Sequence, residues 1–136
     1  MSAKIYAITA VSDQIAGIAP KLDYLKELSG GDHNFIAEIL EMFITEAPQS
    51  VEQSFRYLQE KNFEMLRITV HKLKSSVQVV GGYHLTNLIH EIESASKETE
   101  RHEILPMLSI LKSGIQHMVN HLCTELKSFS STKDAA

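Results

Sequence analysis

The stretch that decides the fold is residues 71–93, which read HKLKSSVQVVGGYHLTNLIHEIE. Its first half continues a stripe of apolar residues that starts upstream at Phe63, and the spacing of three and four residues predicts an amphipathic helix. The pair Gly81-Gly82 predicts the end of that helix, as a left-handed cap would. A second apolar stripe begins at Leu85 and predicts another amphipathic helix.

Two further long helices are predicted on either side of this stretch. The upstream helix begins near Phe35, with Asp32 or Asn34 as its N-cap, and Pro48 within it predicts a kink or a split. The downstream helix carries the longest apolar stripe of the chain, from Ile104 to Leu126. A short amphipathic segment at residues 22–28 precedes all of them.

These patterns predict an all-α protein, an antiparallel four-helix bundle with an additional short N-terminal helix. Residues 1–20 show no sustained period and are expected to be an irregular lead-in. The bundle is expected to span residues 21–128, and residues 129–136 are expected to be a frayed tail.

Composition excludes several classes of function. At 136 residues the chain is long enough for one domain with its own core, and its net charge of −4 argues against binding nucleic acid. Cys123 is the single cysteine, so neither an intramolecular disulfide nor a cysteine-rich zinc site is possible. No apolar run approaches the roughly 20 residues that span a bilayer, so we expect a cytoplasmic protein that does not interact with membranes.

One histidine stands out on the helix that ends at the glycine pair. The helical wheel places His71 roughly 130° from the centre of the apolar stripe, so it points outward. Arg67, Lys74, Ser75 and Gln78 all lie within roughly 60° of His71 on the same wheel. A histidine beside a lysine is usually a solvated helix surface, and on those two residues alone that interpretation would be preferred.

The residue types on this face are nevertheless suited to phosphoryl transfer. Imidazole is a nucleophile at neutral pH, and a phosphoryl group on its ring needs a nearby cation, for which Lys74 is best placed. Ser75 is small enough to let a bulky partner approach. Gln78 is positioned to hydrogen-bond the ring or the phosphoryl oxygens.

Taken together, residues 71–93 closely resemble the motif of histidine-containing phosphotransfer (HPt) domains of multistep two-component signalling. The matching positions are His71, Leu73, Lys74, Ser75-Ser76, Val80-Gly81, Leu85 and Ile92-Glu93. The upstream stretch LDYLKELSGGDHNFIAEILEMFITEAPQSVEQ is similar to the family's entry into its long second helix, so the resemblance covers about residues 22–126. Most family members have glycine after the lysine, where this chain has Ser75.

The resemblance implies a phosphocarrier rather than an enzyme. His71 would accept a phosphoryl group from the aspartate of a response-regulator receiver domain and pass it to another. The receiver would supply the magnesium and most of the catalysis, a hybrid histidine kinase would be a further partner, and this chain would need no cofactor. Arg67, Ile68, Val79 and Gly82 are the residues expected to contact partners, with Ile68 and Val79 exposed. We expect a monomer without an ATP site.

The sequence also allows other interpretations. The main alternative is a helical docking module that binds a receiver or kinase without being phosphorylated. His117 and His121 lie four residues apart, a spacing that metal sites use, but without further ligands beside them they are expected to be solvated, and no metal site is predicted. Glu93 is expected to be a solvated residue at the end of its helix, and Met42 to fill the core.

Overall fold

Five α-helices occupy most of the residues that the structure, a computed structural model, describes, namely 20–97 and 101–135. They are α1 (Asp23–Ser29), α2 (His33–Gln59), α3 (Phe63–Val79), α4 (Thr86–Lys97) and α5 (Ile104–Ala135), with 3₁₀ turns at Tyr83–Leu85 and Arg101–Glu103. No strand occurs within these described ranges, so the predicted all-α bundle is confirmed. Apart from Pro20, the predicted irregular lead-in lies outside the described residues.

The four long helices close into a bundle. Helix α2 packs against α3 and α5, and α4 packs against the same two helices from the other side. Successive helices run antiparallel because the connections between them are short. The core consists of buried apolar side chains from every helix, among them Leu25, Leu40, Val51, Leu66, Leu73, Ile89, Ile92, Leu108, Leu111 and Met118.

Helix α2 starts at an aspartate cap and runs without a break. The side chain of Asp32 accepts hydrogen bonds from the backbone N–H groups of Asn34 and Phe35, at 3.0 and 3.2 Å. Of the two predicted caps, Asp32 is therefore the one used. Pro48 lies inside the helix, which continues to Gln59, so the possibility of a split there was wrong.

Helix α3 ends in a turn that has no room for a side chain. Gly81 has a φ of +81°, in the left-handed region that favours glycine, and the N–H of Gly82 bonds to the carbonyl of Val77 at 2.8 Å. The incoming chain crosses this turn, where the N–H of Lys21 donates to the carbonyl of Gly81 at 3.2 Å. A Cβ at Gly81 would run into the backbone of Lys21. The predicted left-handed cap is confirmed.

Helix α5 is longer than the sequence pattern predicts. It continues through the expected frayed tail as far as Ala135. Phe129 is buried within that extension and meets the ring of His33 edge to face, with the ring centroids 5.2 Å apart. Within the described ranges, no helix combines the length and hydropathy that crossing a membrane requires.

Candidate functional site

His71 lies in the middle of α3, on the face opposite the core. Leu66, Val70, Leu73 and Val77 are buried along one side of this helix. The side chain of His71 keeps 61% of its surface exposed. The imidazole is therefore accessible to another protein while its backbone is held within a packed helix.

A carboxylate from the neighbouring helix orients this imidazole. Oε2 of Glu93, on α4, lies 3.1 Å from Nδ1 of His71. Only 11% of the Glu93 side chain is exposed, so the expectation that it is solvated was wrong. The physical reason is its place on the buried side of α4, four residues after Ile89 and three before Ser96.

The same carboxylate also holds the lysine. Nζ of Lys74 lies 3.1 Å from Oε1 of Glu93, and the lysine side chain is 24% exposed. Glu93 thus bridges His71 and Lys74 through its two oxygens. Sequence reasoning placed Lys74 near His71 but did not anticipate that a carboxylate would join them.

The electrostatic balance at Glu93 favours its ionised form. Burial by itself would raise the pKa of the Glu93 carboxyl, but the hydrogen bonds and charges of Lys74 and His71 outweigh it and lower the pKa below its ordinary value. An ionised carboxylate only accepts hydrogen bonds. Nδ1 of His71 must therefore carry the ring proton, which leaves the lone pair of the neutral ring on Nε2.

The other predicted site residues do not bond to the imidazole. Ser75 and Gln78 are exposed, and Arg67 is half-buried. Within the described part of the chain, no hydrogen bond or ion pair connects any of the three to His71. They lie on the correct face of α3 without contacting the ring.

The residues predicted to contact partners are less exposed than expected. Ile68 and Val79 are half-buried, and Val79 packs partly against the core. Gly82 is buried, and a Cβ there would meet Met118 and Val77, so it lies beneath the surface. The helical wheel of α3 alone misjudged the exposure of Ile68 and Val79 because it does not include the side chains of the neighbouring helices.

A groove between α2 and α3 adjoins the His71 face. It has a volume of about 330 Å³ and is lined mainly by apolar side chains, including Phe43, Leu73 and Val79, with Glu46 and Lys72 among its polar residues. Met42 also lines it and is 53% exposed, so its predicted role as core filler was wrong. Sequence patterns in single helices do not show the groove, because it is formed by two helices together.

The histidines of α5 form no metal centre with other residues of the described ranges. His117 is half-buried and His121 is exposed. Within those ranges, no group of three or more histidine, cysteine, aspartate or glutamate side chains is placed to hold a metal ion.

Comparison with protein-family models decides the family. The model described as Hpt domain matches residues 38–127, which include nearly all of the four long helices and every residue of the His71 site. The chain belongs to the Hpt domain family. Searches of curated proteins and of solved structures gave no match.

Membership in this family fixes the general role of the chain. Hpt domains are phosphocarriers of two-component signalling that interact with receiver domains and histidine kinases. In this Hpt domain, the exposed imidazole of His71 lies inside the matched range, together with Lys74 and Glu93.

Proposed function

We propose that His71 accepts a phosphoryl group from the aspartate of one receiver domain and passes it to the aspartate of another. The observation that carries this proposal is the exposed imidazole whose Nδ1 is engaged by a buried carboxylate. Such a ring is fixed in orientation and tautomer and presents Nε2 as the nucleophile. A surface histidine without a role would have no need of a buried carboxylate behind it.

The transfer can be written with all atoms balanced. The lone pair of Nε2 attacks the phosphorus of the receiver's aspartyl phosphate, forming a P–N bond while the P–O bond to the aspartate breaks. The aspartate leaves as a carboxylate, and the imidazole, which keeps its Nδ1 proton, becomes a cation. Glu93 stabilises that cation, because its carboxylate accepts a hydrogen bond from the Nδ1–H group, with Oε2 lying 3.1 Å from Nδ1. Transfer of the phosphoryl group from His71 to the aspartate of a second receiver reverses these steps.

The remaining residues of this face support the phosphoryl group and its approach. Lys74 supplies positive charge for the phosphoryl oxygens, as negative charge accumulates on them. Ser75 leaves room for the receiver's active site. Gln78, which is exposed, offers an amide that can hydrogen-bond the phosphoryl oxygens.

Partner docking uses the surface around His71. Arg67 and the half-buried side chains of Ile68 and Val79 form the edge of this docking surface. The groove that Val79 lines extends the docking surface towards α2. Gly82 contributes indirectly, because its missing side chain lets the end of α3 pack closely on Met118. The partners proposed are response-regulator receivers and a hybrid histidine kinase.

The setting of this activity is also part of the proposal. The chain acts in the cytoplasm as a monomer, does not bind nucleic acid or membranes, and holds no cofactor of its own. Magnesium belongs to the receiver, whose acidic pocket supplies most of the catalysis. The chain itself does not phosphorylate His71 from ATP.

The test is transfer from a labelled, phosphorylated receiver to the wild-type chain and to His71→Gln. We expect label on the wild type that is stable in base and lost in acid, as phosphohistidine is, and no label on the variant. Because the His71 side chain is mostly exposed, the variant should fold with an unchanged circular dichroism spectrum. Equal labelling of the two proteins would contradict the assignment of His71.

The alternative function is a docking module that binds a receiver without accepting phosphate. It predicts no label on the wild type across several receivers, with binding still measurable by calorimetry. The bridge from Glu93 to His71 favours the phosphocarrier, since a docking surface alone does not need an oriented imidazole.

A further inference from the structure

We infer that Lys74 exchanges partners when the protein is phosphorylated, leaving Glu93 and binding the phosphoryl group on His71. This inference rests on the proposed function, because it requires His71 to carry a phosphoryl group. Glu93 then acts as a positioning residue with two tasks. It orients the imidazole, and it pairs with Lys74 until His71 is phosphorylated.

The starting state of this exchange is defined by distances. Oε1 of Glu93 is 3.1 Å from Nζ of Lys74, and Oε2 is 3.1 Å from Nδ1 of His71. In this arrangement the lysine is already paired with a carboxylate. A phosphoryl group on His71 therefore competes with Glu93 for the ammonium group of Lys74.

The charges make the exchange favourable. Before transfer, one carboxylate is shared by a lysine cation and a neutral ring that donates its Nδ1 proton. After transfer the ring is a cation, so Glu93, of which only 11% is exposed, keeps a charged partner without the lysine. The phosphoryl group carries nearly two negative charges and three acceptor oxygens, which makes it the stronger partner for Lys74.

The helix geometry lets the lysine reach both partners. Lys74 follows His71 by three residues, so the two side chains are neighbours on the surface of α3. The lysine stem has four carbons and can redirect its ammonium group without movement of the backbone. With 24% of its surface exposed, the side chain has an open side towards solvent.

Lys72 provides a matched control within the same helix turn. It is exposed and lies one residue after His71, and it forms no ion pair with any residue of the ranges that the structure describes. A general electrostatic response to the phosphoryl group would affect both lysines. Partner exchange affects Lys74 specifically.

The experiment uses phosphoramidate, which transfers its phosphoryl group to imidazole with release of ammonia and needs no partner protein. Phosphorylation of His71 is followed by ³¹P NMR, and the His71→Gln variant serves to assign the signal. The Nζ groups of Lys74 and Lys72 are followed by ¹⁵N NMR at low temperature, before and after phosphorylation. We expect the Lys74 signal to move and the Lys72 signal to move much less.

The outcomes separate this inference from the function on which it rests. Absence of a His71-dependent ³¹P signal would overturn both the phosphoacceptor role and the exchange. A clear phosphohistidine signal with an unchanged Lys74 signal would overturn the exchange alone. In that case Glu93 would hold Lys74 throughout the transfer cycle.

Two variants test the exchange by other means. Glu93→Gln keeps an oxygen for the Nδ1 proton but removes the charge, so the Lys74 signal of the unphosphorylated variant should move away from its wild-type position. Lys74→Met should shorten the lifetime of phosphohistidine by about tenfold, the worth of one hydrogen bond to a charged group, and Lys72→Met by less than about twofold. Equal lifetimes for Lys74→Met and wild type would contradict the exchange.

Discussion

At the scale of single residues, the site depends on Glu93. Its carboxylate contacts the side chains of both His71 and Lys74 on α3, and its backbone carbonyl accepts a hydrogen bond of 2.7 Å from the hydroxyl of Ser96. A buried carboxylate is stabilised only where partners compensate for the lost hydration. His71 and Lys74 are those partners, so the proposed functional cluster is also a structural contact between α3 and α4.

Replacing Glu93 with alanine should therefore destabilise the bundle. We expect a loss of about 1–3 kcal/mol in the free energy of unfolding, because the variant leaves Lys74 without the carboxylate that it contacts. Urea denaturation of wild type and variant measures this difference. Glu38→Ala, which removes an exposed carboxylate from α2, is the control and should change stability by less than about 0.5 kcal/mol. Equal effects of the two substitutions would contradict a structural role for Glu93.

Stability should also depend on pH through Glu93. The pKa of this carboxyl is lower in the folded chain than its ordinary value of 4.5, so its contribution to stability is fully present above that value. The contribution is lost as the pH falls through the lowered folded pKa. Glu93→Gln should show a smaller loss of stability than wild type on acidification below pH 4.5, measured by thermal denaturation. Parallel curves for the two proteins would contradict the lowered pKa.

The sequence predicted His71 correctly as outward-facing but missed its partner. A helical wheel describes one helix, and the carboxylate that orients the ring belongs to another. A signal for Glu93 was nevertheless present, since Ile89, Glu93 and Ser96 recur at spacings of four and three and share the buried face of α4. A carboxylate on such a face indicates a partner on the opposing helix.

At the scale of elements, the turn after α3 fixes where the His71 helix ends. Gly81 combines a left-handed backbone with close contact to the incoming chain at Lys21. Gly82 packs closely on α5 at Met118. The glycine pair thus brings the end of α3 into contact with the chain at Lys21 and with α5.

Substitution of Gly81 should consequently lower the free energy of unfolding by more than its backbone conformation alone explains. Gly30 is the matched control, because it also has a positive φ, of 63°, but an added Cβ would meet nothing within 4 Å. Gly30→Ala should lower the free energy of unfolding by about 1–2 kcal/mol, because alanine is disfavoured in the left-handed conformation. Gly81→Ala should lower it by more, because it adds a clash with the backbone of Lys21. Urea denaturation gives both values, and equal losses would contradict the packing role of Gly81.

Helix positions were predictable from the sequence where local signals fix them. The apolar stripes located the four long helices, and the cap at Asp32 and the glycine turn set two boundaries. The split considered at Pro48 does not occur, because the rest of α2 is held by packing against α3 and α5. Helix α5 extends beyond the apolar stripe to Ala135, and the burial of Phe129 there depends on contact with another helix, at His33, which no local pattern shows.

At the scale of the whole molecule, the charge around His71 contrasts with that of the chain. The protein has a net charge of −4, yet Arg67 and Lys72 lie near His71 on α3, in addition to Lys74, whose charge is paired with Glu93. A local basic surface attracts the acidic pocket of a receiver, and such attraction speeds association most at low ionic strength.

Reversal of one of these charges should slow association with a receiver. We expect Lys72→Glu to lower the association rate by about tenfold at low salt, with most of that difference lost near 0.5 M salt, where screening is strong. Stopped-flow fluorescence measures the rate. Lys127→Glu makes the same charge change on α5, which packs against α2 and α4, and should have a smaller effect. Equal effects of the two variants would contradict steering by the His71 face.

We propose that this Hpt domain carries a phosphoryl group from one receiver to another through His71. The most direct measurement places a labelled, phosphorylated receiver with a second, unphosphorylated receiver and follows the label on both over time. We expect the label to reach the second receiver when the wild-type chain is present, and neither without the chain nor with His71→Gln. Transfer that continues with His71→Gln would contradict the account.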